Sequence, residues 1–389
     1  MKIFFITKAY PYPAHSGDFQ FTGGIIEALA ERNDVELTVY CCGGLPVAPA
    51  KNGRITWIAG HPKVDRRRDL MSLISRDPRQ ASRTVSRSDL RDISKRVALG
   101  DFEVTILNES CTGSVAGVLG ASRKIYLSHN VDTVIRPTIA HAIKNPLKRL
   151  LQIFDASKYS GLERRLMNRV DGMTAISETD LRWYQKEMPA TPSILLKPGY
   201  SGARLPARHI DASVPLVVAL VGSFFWNAKQ RNLFDILDAY VNRLKTANLP
   251  FFQLRVAGNM PADLIEKLRK KYTSVQFTGA FEDLSDVLKD VRIALVLERL
   301  GGGFKLKILD YVFHRVPVLA FPEAMAGTGF APGTDFISCN SYRDAMITVA
   351  ETIEDCPLLN RIQESAWHHA RSDFLWSDRA ADIVHLARK

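Results

Sequence analysis

The segment Gly301–Asp310 places three consecutive glycines, Gly301, Gly302 and Gly303, just ahead of Lys305, Lys307 and Asp310. A glycine turn leading into a helix leaves backbone N–H groups unpaired. The helix dipole favours negative charge there, and glycine lets a phosphate approach closely. Lys305 and Lys307 add mobile cations on the first turn. Asp310 falls three residues after Lys307, on roughly the same helical face. A cation and a carboxylate so spaced can hold the phosphates and the ribose hydroxyls of one nucleotide. The same pattern also suits a plain loop followed by a solvated ion pair, so the surrounding elements must decide.

Around this segment the second half of the chain alternates apolar runs with helical spacing. Leu216–Val221, Phe252–Ala257, Val275–Thr278, Ile293–Leu297 and Val316–Ala320 read as buried strands. That alternation predicts a doubly wound α/β domain, whose ligand edge collects Gly222, Lys229, Gly258, Gly279, Arg299 and the Gly301 loop. Their convergence favours a nucleotide diphosphate over a plain loop.

The first half repeats the logic. Lys2–Thr7 is a continuous apolar strand, and the prolines and Gly17 of residues 8–18 end it. Helical spacing resumes over Ile25–Ala30, and Val35–Tyr40 is the next strand. The loop therefore sits at the carboxyl end of a βαβ unit, without a G-x-G-x-x-G fingerprint. His15, Gly17 and Asp18 are site candidates there, with an ordinary solvated loop as the alternative. Glu103–Leu107 is a strand ending in Asn108 and Glu109. Lys124–Ser128 is another, ending in His129, Asn130, Val131 and Asp132. Polar residues at such strand ends are placed for chemistry. His129 suits hydrogen bonding to a reacting hydroxyl or stabilising charge, unless it merely caps the next helix. The apolar stripe of Pro146–Arg169 (Leu147, Leu150, Leu151, Phe154, Leu162, Leu166) reads as core packing. Ser177 is a suitable N-cap for a helix over Glu178–Met188. Prolines 198, 206 and 215 bracket a polar stretch. The expected division is a first domain over 1–198, a linker over 199–213 and a second domain over 214–370. A C-terminal helix over 371–389 is expected to return to the first domain.

The chain has 389 residues, which exceeds what one core usually covers. Its formal charge of +11 calls for an anionic partner. The arginine-rich stretch 62–96 suits either a solvated face or anionic lipid. It has too few aromatics for a nucleic-acid surface. Cys41, Cys42, Cys111, Cys339 and Cys356 lack metal-ligand or disulfide spacing and point to free thiols in a reducing compartment. No apolar run approaches the roughly 20 residues of a membrane helix. The expected location is cytoplasmic, with peripheral membrane contact.

With these residues in view, the chain resembles the GT-B glycosyltransferases, specifically glycosyltransferase family 4, a retaining family. Leu127–Asp132 (LSHNVD) is similar to the family's S-H-N-V-E segment, and Asp171–Asp180 (DGMTAISETD) to its A-D-x-x-x-x-x-S-E-x-D segment. Gly222 and Ser223 with Trp226 resemble its G-S-x-x-W opening. Gly301–Asp310 (GGGFKLKILD), followed by Val316–Val318, resembles G-G-G-T-R-L-K-I-L-E and P-V-V. The resemblance implies two Rossmann-like parallel-sheet domains facing a central cleft. It implies that His129 approaches the donor sugar and that Gly301–Gly303 and Lys307 cradle the diphosphate. It further implies that Asp310 binds ribose and that the surroundings of Gly279 hold the base. No protein nucleophile, metal or cofactor is then required, because cations stabilise the leaving diphosphate, with Lys229, Arg299 and Lys307 covering it. The family's E-x7-E carboxylate is replaced by Gly302, and its donor-domain arginine by Ser223. The expected reaction moves a sugar from a nucleotide-diphosphate donor, UDP favoured, to a glycan hydroxyl, with a lipid-linked acceptor in view. The acceptor is expected near Gly17, Asp18, Glu109 and Asn130. A nucleotide-sugar epimerase and a catalytically lapsed nucleotide-sugar-binding protein are the alternatives.

Overall fold

Continuous β-branched and aromatic runs can be buried on both faces only in a parallel sheet covered by helices, and both halves of the chain meet that condition. The computed structural model describes residues 1–14, 16–46, 53–61, 72, 74–143, 145–225, 227–245, 249–299 and 304–389. Gly301, Gly302, Gly303, Trp226, His15 and Arg66–Arg68 lie outside the described residues. The chain divides into two compact units, residues Met1–Gly199 with Leu375–Lys389, and Tyr200–Phe374.

The first unit holds a seven-stranded sheet, ordered β3-β2-β1-β4-β5-β6-β7. Its strands are β1 (Lys2–Thr7), β2 (Glu36–Cys41), β3 (Ile55–Ala59), β4 (Val104–Asn108), β5 (Arg123–Leu127), β6 (Gly172–Ala175) and β7 (Ser193–Leu195). Every neighbouring pair is parallel. Ile3, Phe4, Phe5 and Ile6 of β1 are completely buried. Each such side chain contributes about 1.5–3 kcal/mol of transfer free energy. Edge strand β3 is half-exposed, which is why its run is short and mixed.

The helix Gly17–Glu31 begins directly at Gly17. Gly17 and Asp18, expected in a loop, are therefore its first turn, where the Asp18 carboxylate suits the dipole. Ser177 caps the helix Glu178–Glu187 as expected, its Oγ accepting from the Asp180 N–H at 3.2 Å. The terminal helix Trp376–Arg388 belongs to this first unit. Trp376 packs its ring against Gly24 and Gly199, and Leu386 lies against Gly172. The helix Pro146–Met167 corrects one expectation. Leu162 and Leu166 are buried, but Leu147, Leu150, Leu151 and Phe154 are exposed rather than core.

The second unit holds a six-stranded sheet, ordered β10-β9-β8-β11-β12-β13 and again parallel. Its strands are β8 (Val217–Val221), β9 (Gln253–Ala257), β10 (Val275–Gly279), β11 (Ile293–Val296), β12 (Val318–Ala320) and β13 (Ile337–Ser338). Residues 200–213, expected as a linker, are instead bound along this unit. The Tyr200 N–H donates to the Phe374 carbonyl and the Leu205 N–H to that of Phe313, each at 2.8 Å. Arg208 donates to the Val291 carbonyl at 2.6 Å, and Ile210 is fully buried. Prolines and polar residues mark a segment without regular structure, but they do not decide whether it is free.

Candidate active site

In an open parallel sheet a ligand crevice forms where the strand order reverses direction, outside the carboxyl ends of the two strands that flank the reversal. In the first unit the chain moves outward from β1 to β3 and then returns to place β4 on the other side of β1. Lys8 follows β1, Glu109 follows β4, and His129 lies two residues past β5. These are the residues the fold brings together.

Lys8 Nζ donates to Asp18 at 2.6 Å and lies 2.9 Å from Glu109 Oε1. Burial alone would lower the Lys8 pKa, but Glu109 and Asp18 outweigh it and raise it. Burial likewise works to raise Asp18, yet Lys8 and the Ser16 hydroxyl bring it down to about 2. His129 is buried, and its Nε2 pairs with Asn108 Oδ1 at 2.8 Å. Asn108 is itself fixed, because its amide donates to the Thr7 and Thr22 hydroxyls at 3.2 and 3.0 Å. The Phe21 ring meets the imidazole edge-on at 5.0 Å. Burial lowers the His129 pKa, with Glu109 at 3.7 Å opposing that shift. His129 is thus a neutral, oriented hydrogen-bonding group and not a helix cap. Val131 occupies the N-cap of the following helix, Asp132–His141.

Two further features hold this edge in place. Glu109 adopts φ 68°, ψ 155°, a backbone region that costs a non-glycine residue about 1–3 kcal/mol and persists where the surroundings enforce it. Glu163, fully buried, accepts the N–H groups of Asp132 and Thr133 at 3.1 and 2.7 Å. Burial, reinforced by the Asp132 charge, raises its pKa to about 7. Asn130 takes part through its backbone, its carbonyl accepting from the Ser128 hydroxyl at 3.0 Å.

The second unit has the same kind of reversal between β8 and β11. Three of the expected glycines meet there. The Gly222 N–H donates to the Ala257 carbonyl at 3.0 Å, and the Gly258 N–H to the Gly279 carbonyl at 2.7 Å. Ser223 follows Gly222 and is half-buried. Gly258, at φ 125°, lies directly against the Gly222 carbonyl, so a Cβ has no room.

Lys229, near the start of the helix Asn227–Leu244, and Lys307, first residue of the helix Lys307–Phe313, converge on one carboxylate. Glu298, just beyond β11 and buried, accepts from Lys229 with both oxygens at 2.7 Å. Its Oε1 is also 2.7 Å from Lys307 Nζ. Lys307 further donates to the Val221 carbonyl at 3.3 Å, which ties it to the end of β8. Burial is the largest influence on Glu298 and would raise its pKa. The two lysines together outweigh it and hold the carboxyl well below its ordinary range. Lys229 is lowered, because burial and the Lys307 charge prevail over its single carboxylate. The result is a desolvated cluster with two cations and one anion.

Asp310 lies beside the Tyr200 hydroxyl, which makes no hydrogen bond of ordinary geometry there. Burial raises its pKa to about 6, against the opposing effects of Tyr200 and Lys307. Arg299 does not join the cluster. It is exposed, donates to the Asn340 carbonyl and stacks over Phe321, with the ring centroid 4.7 Å away. Sequence reasoning missed Glu298 and Lys8, each a charged residue at the exit of a buried strand. That position was the available signal. Among the described residues, no group of three or more His, Cys, Asp or Glu side chains is placed to hold a metal ion.

Comparison with known proteins bears on the fold and on the second half of the chain. Residues 215–345 match the family model described as glycosyl transferases group 1. No curated protein matches the chain. Among solved structures, sucrose-phosphate synthase from Thermosynechococcus elongatus is similar at TM-score 0.69 and 15% identity, over 100% of this chain and 98% of that one. WaaG, a glycosyltransferase involved in lipopolysaccharide biosynthesis, is similar at TM-score 0.69 and 16% identity, over 98% and 99%. Anabaena HepE, solved with UDP and glucose, is similar at TM-score 0.65 and 12% identity, over 99% and 98%. The chain therefore has the GT-B fold, and its similarity to glycosyl transferases group 1 lies within residues 215–345.

Proposed function

We propose that the protein is a retaining hexosyltransferase that moves a sugar from a UDP-linked donor to a hydroxyl of a glycan, in the assembly of a cell-surface polysaccharide. The observation that carries this reading is the paired Lys229 and Lys307 at the β8/β11 reversal, inside the segment that matches the family model. In the transfer, the bond from the sugar's anomeric carbon to the diphosphate oxygen breaks and its electron pair stays on the diphosphate. The acceptor oxygen forms the new bond on the same face, and its proton passes to the departing phosphate. Charge develops on the leaving oxygen, so two fixed, desolvated cations are the useful groups. Lys229 and Lys307 stabilise it, Asp310 accepts the ribose hydroxyls, and Gly222, Gly258 and Gly279 bring backbone close to the nucleotide. Gly301, Gly302, Gly303 and Arg299 are the remaining residues assigned to the donor phosphates. In the first unit His129, its Nε2–H held by Asn108, accepts through Nδ1 from a hydroxyl of the sugar or the acceptor, and Gly17, Asp18, Glu109 and Asn130 bind the acceptor. UDP is favoured because HepE was solved with it. WaaG's involvement in lipopolysaccharide biosynthesis favours a lipid-linked acceptor.

Calorimetric titration with UDP, GDP and ADP tests the donor class, and release of free nucleotide from the intact UDP-sugar tests turnover. Tight UDP binding with slow donor hydrolysis is the expected result. Binding without any turnover would leave a nucleotide-sugar-binding protein, and no binding would remove the reading.

Asp310 adds a pH dependence of known sign. Its raised pKa means that it is protonated below about 6 and then offers the ribose a weaker acceptor. Donor affinity should therefore fall as pH drops through about 6 and level off above it. The measurement should use the intact UDP-sugar, whose diester phosphates do not titrate there. Asp310→Asn is expected to flatten the profile.

A further inference from the structure

Leu147, Leu150, Leu151 and Phe154 of the helix Pro146–Met167 are 68%, 65%, 52% and 49% exposed. Their spacing of three and four residues aligns them in one stripe. That stripe is not the packing face: Ala156, Tyr159, Leu162 and Leu166, which are buried, centre about 130° away around the helix. A further apolar side chain, Ile74, is 87% exposed nearby. Lys158 lies 4.5 Å from the Phe154 ring centroid and donates to the Ser72 carbonyl, two residues before Ile74. A contiguous exposed patch of this kind marks an interaction surface.

Charge identifies what the patch meets. Lys148 and Arg149 are exposed on the first turn, and Arg76 and Arg79 are exposed beside it. The Arg79 N–H donates to Asp155 at 2.8 Å, which brings that segment within one residue of Phe154. The neighbouring carboxylates are already engaged, Asp155 by this bond and Asp77 by Arg165. Residues 145–152 are exposed on every side of the helix. A projecting end with apolar and cationic side chains mixed on it suits a fluid interface that closes around it.

We propose that the helix start at Pro146–Phe154, with Ile74, docks on an anionic lipid surface. Leu147, Leu150, Leu151 and Phe154 enter the acyl boundary, and Lys148, Arg149, Arg76 and Arg79 meet the headgroup phosphates. No described helix is long and apolar enough to cross a membrane, and the mixed apolar and cationic side chains of this one suit a helix lying in the interface. This inference is independent of the transfer reaction.

The test is co-sedimentation of the full chain with phosphatidylcholine vesicles, with or without about 30 mol per cent phosphatidylglycerol. Binding is expected to the anionic vesicles only, and to weaken as salt rises from about 0.1 to 0.5 M. Leu147→Ser/Leu151→Ser/Phe154→Ser and, separately, Lys148→Glu/Arg149→Glu should each reduce binding about tenfold or more. Both sets lie on exposed positions, and circular dichroism checks that each variant is folded. Absence of vesicle binding, or binding that neither variant weakens, overturns the proposal. So does a concentration-dependent dimer in sedimentation velocity that the serine variant abolishes, since a second copy would then be the occupant.

Discussion

Lys307→Ala is expected to lower kcat/KM for donor turnover by about 100- to 1,000-fold, the usual cost of removing one preorganised group from a developing oxyanion. On the proposed reaction most of the loss should appear in kcat, because the phosphate charge assigned to Lys307 grows as the sugar departs. The variant keeps the Lys229–Glu298 pair, with both Glu298 oxygens at 2.7 Å from Lys229. The buried carboxylate therefore remains neutralised, and the thermal midpoint should move far less than the rate. Steady-state kinetics with the UDP-sugar, beside a melting curve, separates the two effects. Full activity in a folded Lys307→Ala protein would show that the leaving group is stabilised elsewhere.

Gly258→Ala should be the most damaging small substitution in the second unit. Gly258 has φ 125° and no room for a Cβ against the Gly222 carbonyl. Backbone strain and overpacking together should cost about 3 kcal/mol or more. Gly333 provides the contrast: its φ is 77°, but a Cβ there would meet open space. Alanine at 333 should cost only about 1 kcal/mol, from conformation alone. Denaturant unfolding of the two variants side by side measures the difference. Gly258→Ala should also weaken nucleotide binding, because the ends of β8, β9 and β10 are joined through Gly222, Gly258 and Gly279.

The strands that carry the site could be read from apolar runs, since a strand buried on both faces has no reason to contain polar residues. β8 and β11 are wholly of that kind and β1 and β4 nearly so, whereas β5 and β9 keep an apolar run beside the half-exposed Arg123, Lys124, Gln253 and Arg255. Edge strand β3 escaped because its exposed face dilutes the run, and β13 because two residues carry no periodicity. Lys229 and Lys307 stood out in the sequence as site candidates, but their shared partner Glu298 did not. Glu298 lies 69 residues from Lys229, and only the sheet order brings them together. Glu109 was a candidate, but its pairing with Lys8, 101 residues away, was hidden for the same reason. The Leu147 stripe failed differently. An amphipathic pattern reports that one face avoids water and leaves open whether protein or lipid covers it.

The first unit is made from two stretches of chain separated by the whole of the second. During synthesis, Tyr200–Phe374 emerges as one uninterrupted stretch and can collapse on its own core as soon as it is free. Met1–Gly199 has to wait. The seat between Gly24 and Gly199 stays open until Trp376 arrives, and the apolar surface that Ile383 and Leu386 cover stays wet until then. The half of the protein made first is thus the last to be finished.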